Sequence, residues 1–168
     1  MRRLQAQDLG RRLTMTQYWL MKSEPEEASI DDLARAPGKK LPWTGVRNYQ
    51  ARNFMRDHMR IGDGVLFYHS SCAEPGVVGI AEVCSAPYPD ETQFDRKSKY
   101  FDAKATRGEP RWMHVDVKLV KKTRLLGLRE MRERPELSSM IVLRPGNRLS
   151  ITPVQPDEWR AVLAFLQR

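Results

Sequence analysis

Cysteine is scarce in this chain. Cys72 and Cys84 are the only two in 168 residues, and no CxxC pair exists. A disulfide-stapled scaffold and a zinc ribbon are therefore excluded, and reduced thiols are expected. The histidines His58, His69 and His114 are isolated in sequence, so no metal-ligand spacing supports a zinc site. Long apolar runs are also missing. Val65–Tyr68 and Val77–Ala81 have the length of strands and cannot span a bilayer. Residues 1–14 contain no stretch suited to a secretory leader. Neither GxxxxGK[ST] nor GxGxxG occurs, which excludes the usual phosphate-cradling glycine loops. Ser70 follows His69, but strand neighbours point apart and no glycine-flanked elbow surrounds the serine, so a Ser–His nucleophile is not expected. No repeat and no dividing linker are visible.

What is present suits one folded domain. Hydrophobic residues make up 40% of the chain, enough for a sizeable core. Twenty-nine lysines and arginines against 21 acidic residues give a net charge of +8, which favours polyanionic partners. Four arginines and one aspartate within residues 1–14 supply three of those charges. That segment reads as an upstream start or a frayed extension, with a basic arm on nucleic acid as the alternative. Residues 15–168 read as the single domain.

The patterning alternates short strands with covering helices. Gln17–Met21 reads as a strand, and Ser29 caps a helix stopped at Pro37-Gly38. Tyr49–Met59 places Ala51, Phe54, Met55 and Met59 on one helical face and Arg52, Arg56 and Arg60 on another stripe. Val65–Ser70 and Val77–Val83 read as an antiparallel hairpin. Residues 86–111 form a long loop, a candidate lid or wall. Trp112–Val120 alternates as a half-buried strand, Leu126–Arg134 reads as a short helix, and Arg148–Val154 as a last strand. A final helix opens at Pro156. This order predicts an α+β domain built on a small barrel.

The densest chemistry lies in Trp43-Thr44-Gly45-Val46-Arg47-Asn48-Tyr49-Gln50-Ala51-Arg52-Asn53. Aromatic rings stack on bases, amides read base edges, and arginine binds phosphate or stacks. The same residues have ordinary readings: Trp43 as a core aromatic, Asn48 as a helix cap, Arg52 as a solvated charge. His69 and Ser70 at a strand end are further candidates for lining a pocket. Lys22-Ser23-Glu24 after the first strand reads as a rim of polar groups, or as an acid–base couple in an enzyme.

Together these segments resemble the EVE family of PUA-like domains. The resemblance rests on Tyr18-Trp19-Leu20-Met21-Lys22-Ser23-Glu24-Pro25 and on Trp43-Thr44-Gly45-Val46-Arg47-Asn48-Tyr49-Gln50-Ala51-Arg52-Asn53. Gly62-Asp63 with Val65–Ser70, Val78-Gly79-Ile80-Ala81, Phe101-Asp102-Ala103-Lys104, Trp112–Val117 and Arg148–Val154 follow in order. It implies a PUA-like open barrel or curved mixed sheet with helices packed around it, and a non-catalytic reader of a modified or flipped base, above all modified cytosine in DNA. Lys22, Ser23, Gly45, Val46, Arg47, Asn48 and Ser70 match the pocket positions of the related YTH domains. With Trp43, Tyr49, His69 and Asp102 they form the implied ligand site. Arg52, Arg56, Arg60 and Lys104 are the implied backbone contacts. Where YTH domains carry a tryptophan after Gly-Val, this chain has Arg47, which implies a more polar pocket. Where the family often reads Asp-Pro-Lys, this chain has Asp102-Ala103-Lys104, implying a looser loop wall.

The expected partner is DNA or RNA carrying a modified base, with no membrane, metal or cofactor. The expected location is the cytoplasm of a bacterium, or the nucleus of a eukaryote. Two alternatives remain. One is a small amidohydrolase resembling ASCH-type relatives, using Lys22 and Glu24 with Ser23 or Tyr68. The other is a plain RNA- or protein-binding module.

Overall fold

Strands that are apolar at every position, instead of at alternate ones, build the centre of the molecule. A computed structural model describes residues 16–168; the expectation for residues 1–14 lies outside them. Strand β1 (Tyr18–Ser23) buries Trp19, Leu20 and Met21, and β3 (Gly64–His69) buries Val65 through Tyr68. Both are covered on two faces, which explains the unbroken apolar runs. They pair in parallel, so the chain must cross over between them. The crossover carries helix α1 (Ile30–Arg35), the short β2 (Lys40–Pro42) and helix α2 (Tyr49–Asn53).

Beyond β3 the sheet is antiparallel. The expected hairpin joins β3 to β4 (Gly76–Val83), and β4 pairs with the long β7 (Asp116–Gly127). Strand β8 (Ile151–Val154) lies against the other edge of β1, giving the order β2-β7-β4-β3-β1-β8. Two register shifts between β4 and β7 increase the local twist and curl the open sheet into a half barrel. A separate pair, β5 (Tyr88–Pro89) with β6 (Met113–His114), closes the long loop.

Alternation along the central strands feeds two cores. Trp19, Met21, Val65 and Phe67 join Ile30 and Leu33 of α1 and Ala51 of α2. Leu20, Leu66 and Tyr68 join Met131 of α3 (Leu128–Arg132) and Val162, Phe165 and Leu166 of α4 (Pro156–Leu166). Buried Asp63 ties the first core together, accepting from Trp19 Nε1 at 3.0 Å and from the Arg60 amide at 2.9 Å.

Three sequence expectations are corrected. The helix over Tyr49–Met59 is α-helical only to Asn53 and continues as a π turn over Phe54–His58. An i→i+5 ladder takes more residues per turn, so spacing by four no longer keeps Arg52, Arg56 and Arg60 on one stripe. Strand β7 runs to Gly127 and takes in Leu126, which pairs with Val77, so the expected helix over Leu126–Arg134 shortens to α3. Trp112 precedes β6, outside the strand expected to begin there. Strand β2 had no signal, because three residues beginning with a lysine and ending in proline carry no period.

Candidate functional site

A cavity of about 980 Å³ opens where the ends of β1 and β3 meet the segment between β2 and α2. Its floor is apolar. Trp43 is buried edge-on against Phe67, with ring centroids 5.3 Å apart, and Val46 lies beside them. The Trp43 amide donates to the Val115 carbonyl at 2.9 Å, which fixes the tryptophan to the residue just before β7, the strand paired with β2.

Gly45 makes the wall possible. Its φ of +90° is open to glycine, and a Cβ there would come within 2.5 Å of the Tyr100 ring. Tyr100 therefore lies directly on the glycine and closes one side of the cavity. The anchor beneath this wall is Asp90, which is 1% exposed. Its Oδ2 accepts from the Gly45 amide at 2.8 Å and from Arg47 Nη1 at 3.1 Å, and its Oδ1 accepts from the Thr92 amide at 2.9 Å and from the Thr92 hydroxyl. Burial pushes the carboxyl up, but hydrogen bonds from Thr92, Gly45 and Arg47 outweigh it and hold Asp90 below the usual aspartate range.

Arg47 is spent on the same anchor. Nε and Nη2 donate to the Tyr100 carbonyl at 3.1 and 2.8 Å, Nη2 also donates to Thr92 Oγ1, and Nη1 donates to the Val46 carbonyl and to Asp90. It clamps the loop wall and has little left for a ligand. Gln93, fully buried, organises the rest of that loop. Its Nε2 donates to the carbonyls of Asp90 and Trp112 at 2.8 Å, and its Oε1 accepts from the amides of Arg111 and Trp112. Of the segment 86–111, expected as a lid or wall, Lys99 and Tyr100 line the cavity, and the buried Gln93 amide ties its two ends together.

The rim is charged. Lys22 makes no ion pair among the described residues, and burial pulls its ammonium below the usual lysine range. Lys99 and Arg148 add positive charge; Glu24, Glu27 and Asp32 add negative charge. Glu27 is engaged, accepting from the Tyr100 hydroxyl and pairing with Lys99.

Lys22, Ser23, Trp43, Gly45, Val46, Arg47, Asn48 and Ser70 all line this cavity. Asn48 is also the cap of α2, its Oδ1 accepting from the Ala51 amide at 3.0 Å, which leaves its Nδ2 without a partner among the described residues. The Ser23 hydroxyl donates to the Ala28 carbonyl at 2.6 Å.

Three expected ligand residues lie elsewhere. His69 is turned behind α1, where its Nε2 accepts from the Ile30 amide, and burial lowers its pKa. Strand alternation ends at His69, so Ser70, whose amide donates to the Ser23 carbonyl, reaches the cavity together with Phe67. Tyr49 stacks on Trp112 outside the cavity. Asp102 accepts from Trp112 Nε1 at 2.8 Å and from the Lys104 amide, holding the far end of the loop.

The backbone candidates are also outside. Arg52 donates to the Arg111 carbonyl and to Asn53, Arg56 is paired with Asp57, Arg60 donates to the Met59 carbonyl, and Lys104 is exposed beyond the loop.

Asp90, Tyr100, Gln93, Lys99 and Arg148 gave no sequence signal as site residues. They lie 42 or more residues from Asn48, in the loop and before β8. Only a patternless loop of unusual length pointed towards the first four. Among the described residues, no three His, Cys, Asp or Glu side chains group to hold a metal ion, and no helix is long and apolar enough to cross a membrane.

The EVE domain pattern matches residues 17–165. Thymocyte nuclear protein 1 of Gallus gallus is 40% identical over 167 residues, covering 88% of this chain and 68% of that protein. The crystal structure of the human THYN1 protein in complex with DNA containing 5-methylcytosine matches with a TM-score of 0.86 and 37% identity, covering 91% of this chain and 99% of that one. The YTH domain of the Zygosaccharomyces rouxii MRB1 protein, solved with N6-methyladenosine RNA, has a TM-score of 0.52 at 13% identity and covers 92% of this chain and 88% of that one. That last likeness is one of fold alone, and the curled sheet with its four helices is PUA-like.

Proposed function

The chain belongs to the EVE domain family, and on that premise we propose that it is a DNA-binding domain that holds a modified cytosine, turned out of the stack, in the cavity beside Trp43. The observation that carries this reading is the cavity itself. Its apolar aromatic floor, the Tyr100 wall and a rim on which Lys22 and Asn48 Nδ2 keep free donors among the described residues suit a planar heterocycle with polar edges. The family relative solved with 5-methylcytosine DNA supports the choice of base.

Roles follow from what each group has left to offer. Asn48 Nδ2 is a donor for a ring acceptor. The Glu24 carboxylate suits the exocyclic amine of cytosine, which a thymine or uracil carbonyl cannot replace. Lys22, Lys99 and Arg148 attract the phosphates on either side. Turnover is not part of the proposal. The Ser23 hydroxyl is committed to the Ala28 carbonyl, and Lys22 Nζ lies 5.8 Å from the centre of the Tyr68 ring, over its face, so the reading assigns Lys22 to charge attraction and not to an acid–base couple.

Quenching of tryptophan fluorescence by a panel of modified and unmodified nucleosides and short DNAs tests the reading. Saturable quenching by one modified cytosine, abolished in Trp43→Ala, is the expected result. Stacking of this kind is worth roughly 1–3 kcal/mol per base. Equal binding across the panel overturns it.

A further inference from the structure

Tyr49 is 51% exposed although it is the first residue of a helix packed into the core. Its ring stacks on Trp112 with centroids 4.8 Å apart and planes 22° from parallel. The Arg52 guanidinium lies 4.7 Å from the Tyr49 centroid and 5.8 Å from that of Trp112. Were Trp112 and Arg52 on opposite faces of the tyrosine, their separation would approach the sum of their distances to it. It is far shorter, which places both toward one side of the ring, and the exposure of Tyr49 then falls on the other.

This ring is also joined to the cavity wall. The Arg47 guanidinium lies 5.3 Å from the Tyr100 ring and 5.3 Å from the Trp112 ring. A ladder of stacked groups therefore runs from Tyr100 through Arg47 and Trp112 to Tyr49. Asn48, the residue before Tyr49, lines the cavity. Around the outer end, Arg111 Nη1 lies 3.5 Å from the Tyr49 hydroxyl, and Lys104 and Arg107 are exposed on the adjoining loop. Asp102 and Glu91 offset part of that charge through Arg111 and Arg107.

We infer that the open face of Tyr49 is a second nucleobase site, which stacks a base flanking the one held in the cavity. A ring preset from below needs no ordering when the base arrives, and a π-face accepts any base, so this site contributes affinity without sequence preference. The cationic surround suits a polynucleotide more than an apolar protein segment. The inference rests on the cavity as the base-reading site and adds the track that the strand follows away from it.

The test compares two ligands, the nucleoside 5-methyl-2′-deoxycytidine and a short DNA carrying the same base centrally, with an unmodified DNA of the same sequence as a third arm. Tyr49→Ala is expected to weaken both DNAs by about 5- to 150-fold while leaving nucleoside affinity unchanged. Tyr49→Phe restores DNA binding and Tyr49→Leu does not, because stacking needs the ring. Unchanged nucleoside binding reports that the variant is folded. Equal loss on nucleoside and DNA overturns the inference, since Tyr49 would then act through the cavity. Unchanged DNA affinity also overturns it and leaves the platform to a protein partner. If the intact protein ignores the modification while Tyr49→Ala still weakens both DNAs, the second site stands and the cavity reading falls.

Discussion

Replacing Asp90 by asparagine removes one charge and one acceptor from the point on which the cavity wall hangs. Each carboxylate oxygen receives two donors, Gly45 and Arg47 on Oδ2 and the Thr92 amide and hydroxyl on Oδ1. An amide keeps one oxygen, so one pair of donors must face an NH2 group. The cheaper orientation keeps Gly45 and Arg47 and turns the Thr92 hydroxyl into an acceptor, which strands the Thr92 amide. A buried unsatisfied donor costs about 1–3 kcal/mol, and exchanging a charged for a neutral acceptor costs about 1 kcal/mol more. Asp90→Asn should therefore lose about 2–4 kcal/mol. With a slope of about 2 kcal/mol/M for urea, the midpoint falls by about 1–2 M at neutral pH, read by tryptophan fluorescence. The pH dependence is a second check. The folded carboxyl sits below its unfolded range, so its contribution is full above about pH 4 and is lost as pH falls through the lower folded value. The difference between the two proteins must shrink on acidification. A loss under about 0.5 kcal/mol, or a difference that does not change with pH, refutes the anchor.

Gly45→Ala forces a side chain into left-handed backbone, at about 1–2 kcal/mol, and drives Tyr100 off the wall. Urea unfolding should show that cost, and nucleoside titration a loss of binding; an alanine variant with intact binding refutes the role of the close approach. Asn48→Asp keeps the helix cap but removes Nδ2, so stability should hold within about 0.5 kcal/mol while base discrimination weakens. Unchanged discrimination would leave Asn48 a cap alone. Glu24→Gln should narrow the preference for modified cytosine over the matching uracil, measured by competition, and an unaltered ratio removes Glu24 from the base edge. Burial, opposed by Asp90 and Asp116, holds buried His114 below the usual histidine range, and its Nε2 has no hydrogen-bond partner among the described residues. The stability it contributes is full above pH 6.5 and lost as pH falls through its lower folded value. His114→Phe should flatten the fall in stability that begins below about pH 6.5, followed by urea midpoints.

Residue types and spacing alone determined much of this protein. Trp43, Gly45 and Asn48 were legible as pocket candidates, but Trp43 and Asn48 only beside ordinary readings as a core aromatic and a helix cap. The EVE resemblance singled them out together with Lys22-Ser23, and Trp43 and Asn48 in fact fill both kinds of role. The apolar runs of β1 and β3 marked them as strands, though not their central place or parallel pairing, and Ser29 and Pro156 marked helix starts with local chemistry that needs no tertiary partner. What sequence left open was every role set by a distant neighbour. Arg47 has the chemistry of a ligand-binding residue, yet Asp90 and the Tyr100 carbonyl, more than 40 residues on, consume its donors. Tyr49 belongs to the same motif string as cavity residues and Asp102 to a string just after the cavity's Tyr100, but Trp112 holds both outside the cavity. The arginine stripe depended on an α-helical period that a π turn breaks. The loop over 86–111 has no period because its order comes from hydrogen bonds to one buried glutamine, and only the folded chain brings those partners within reach.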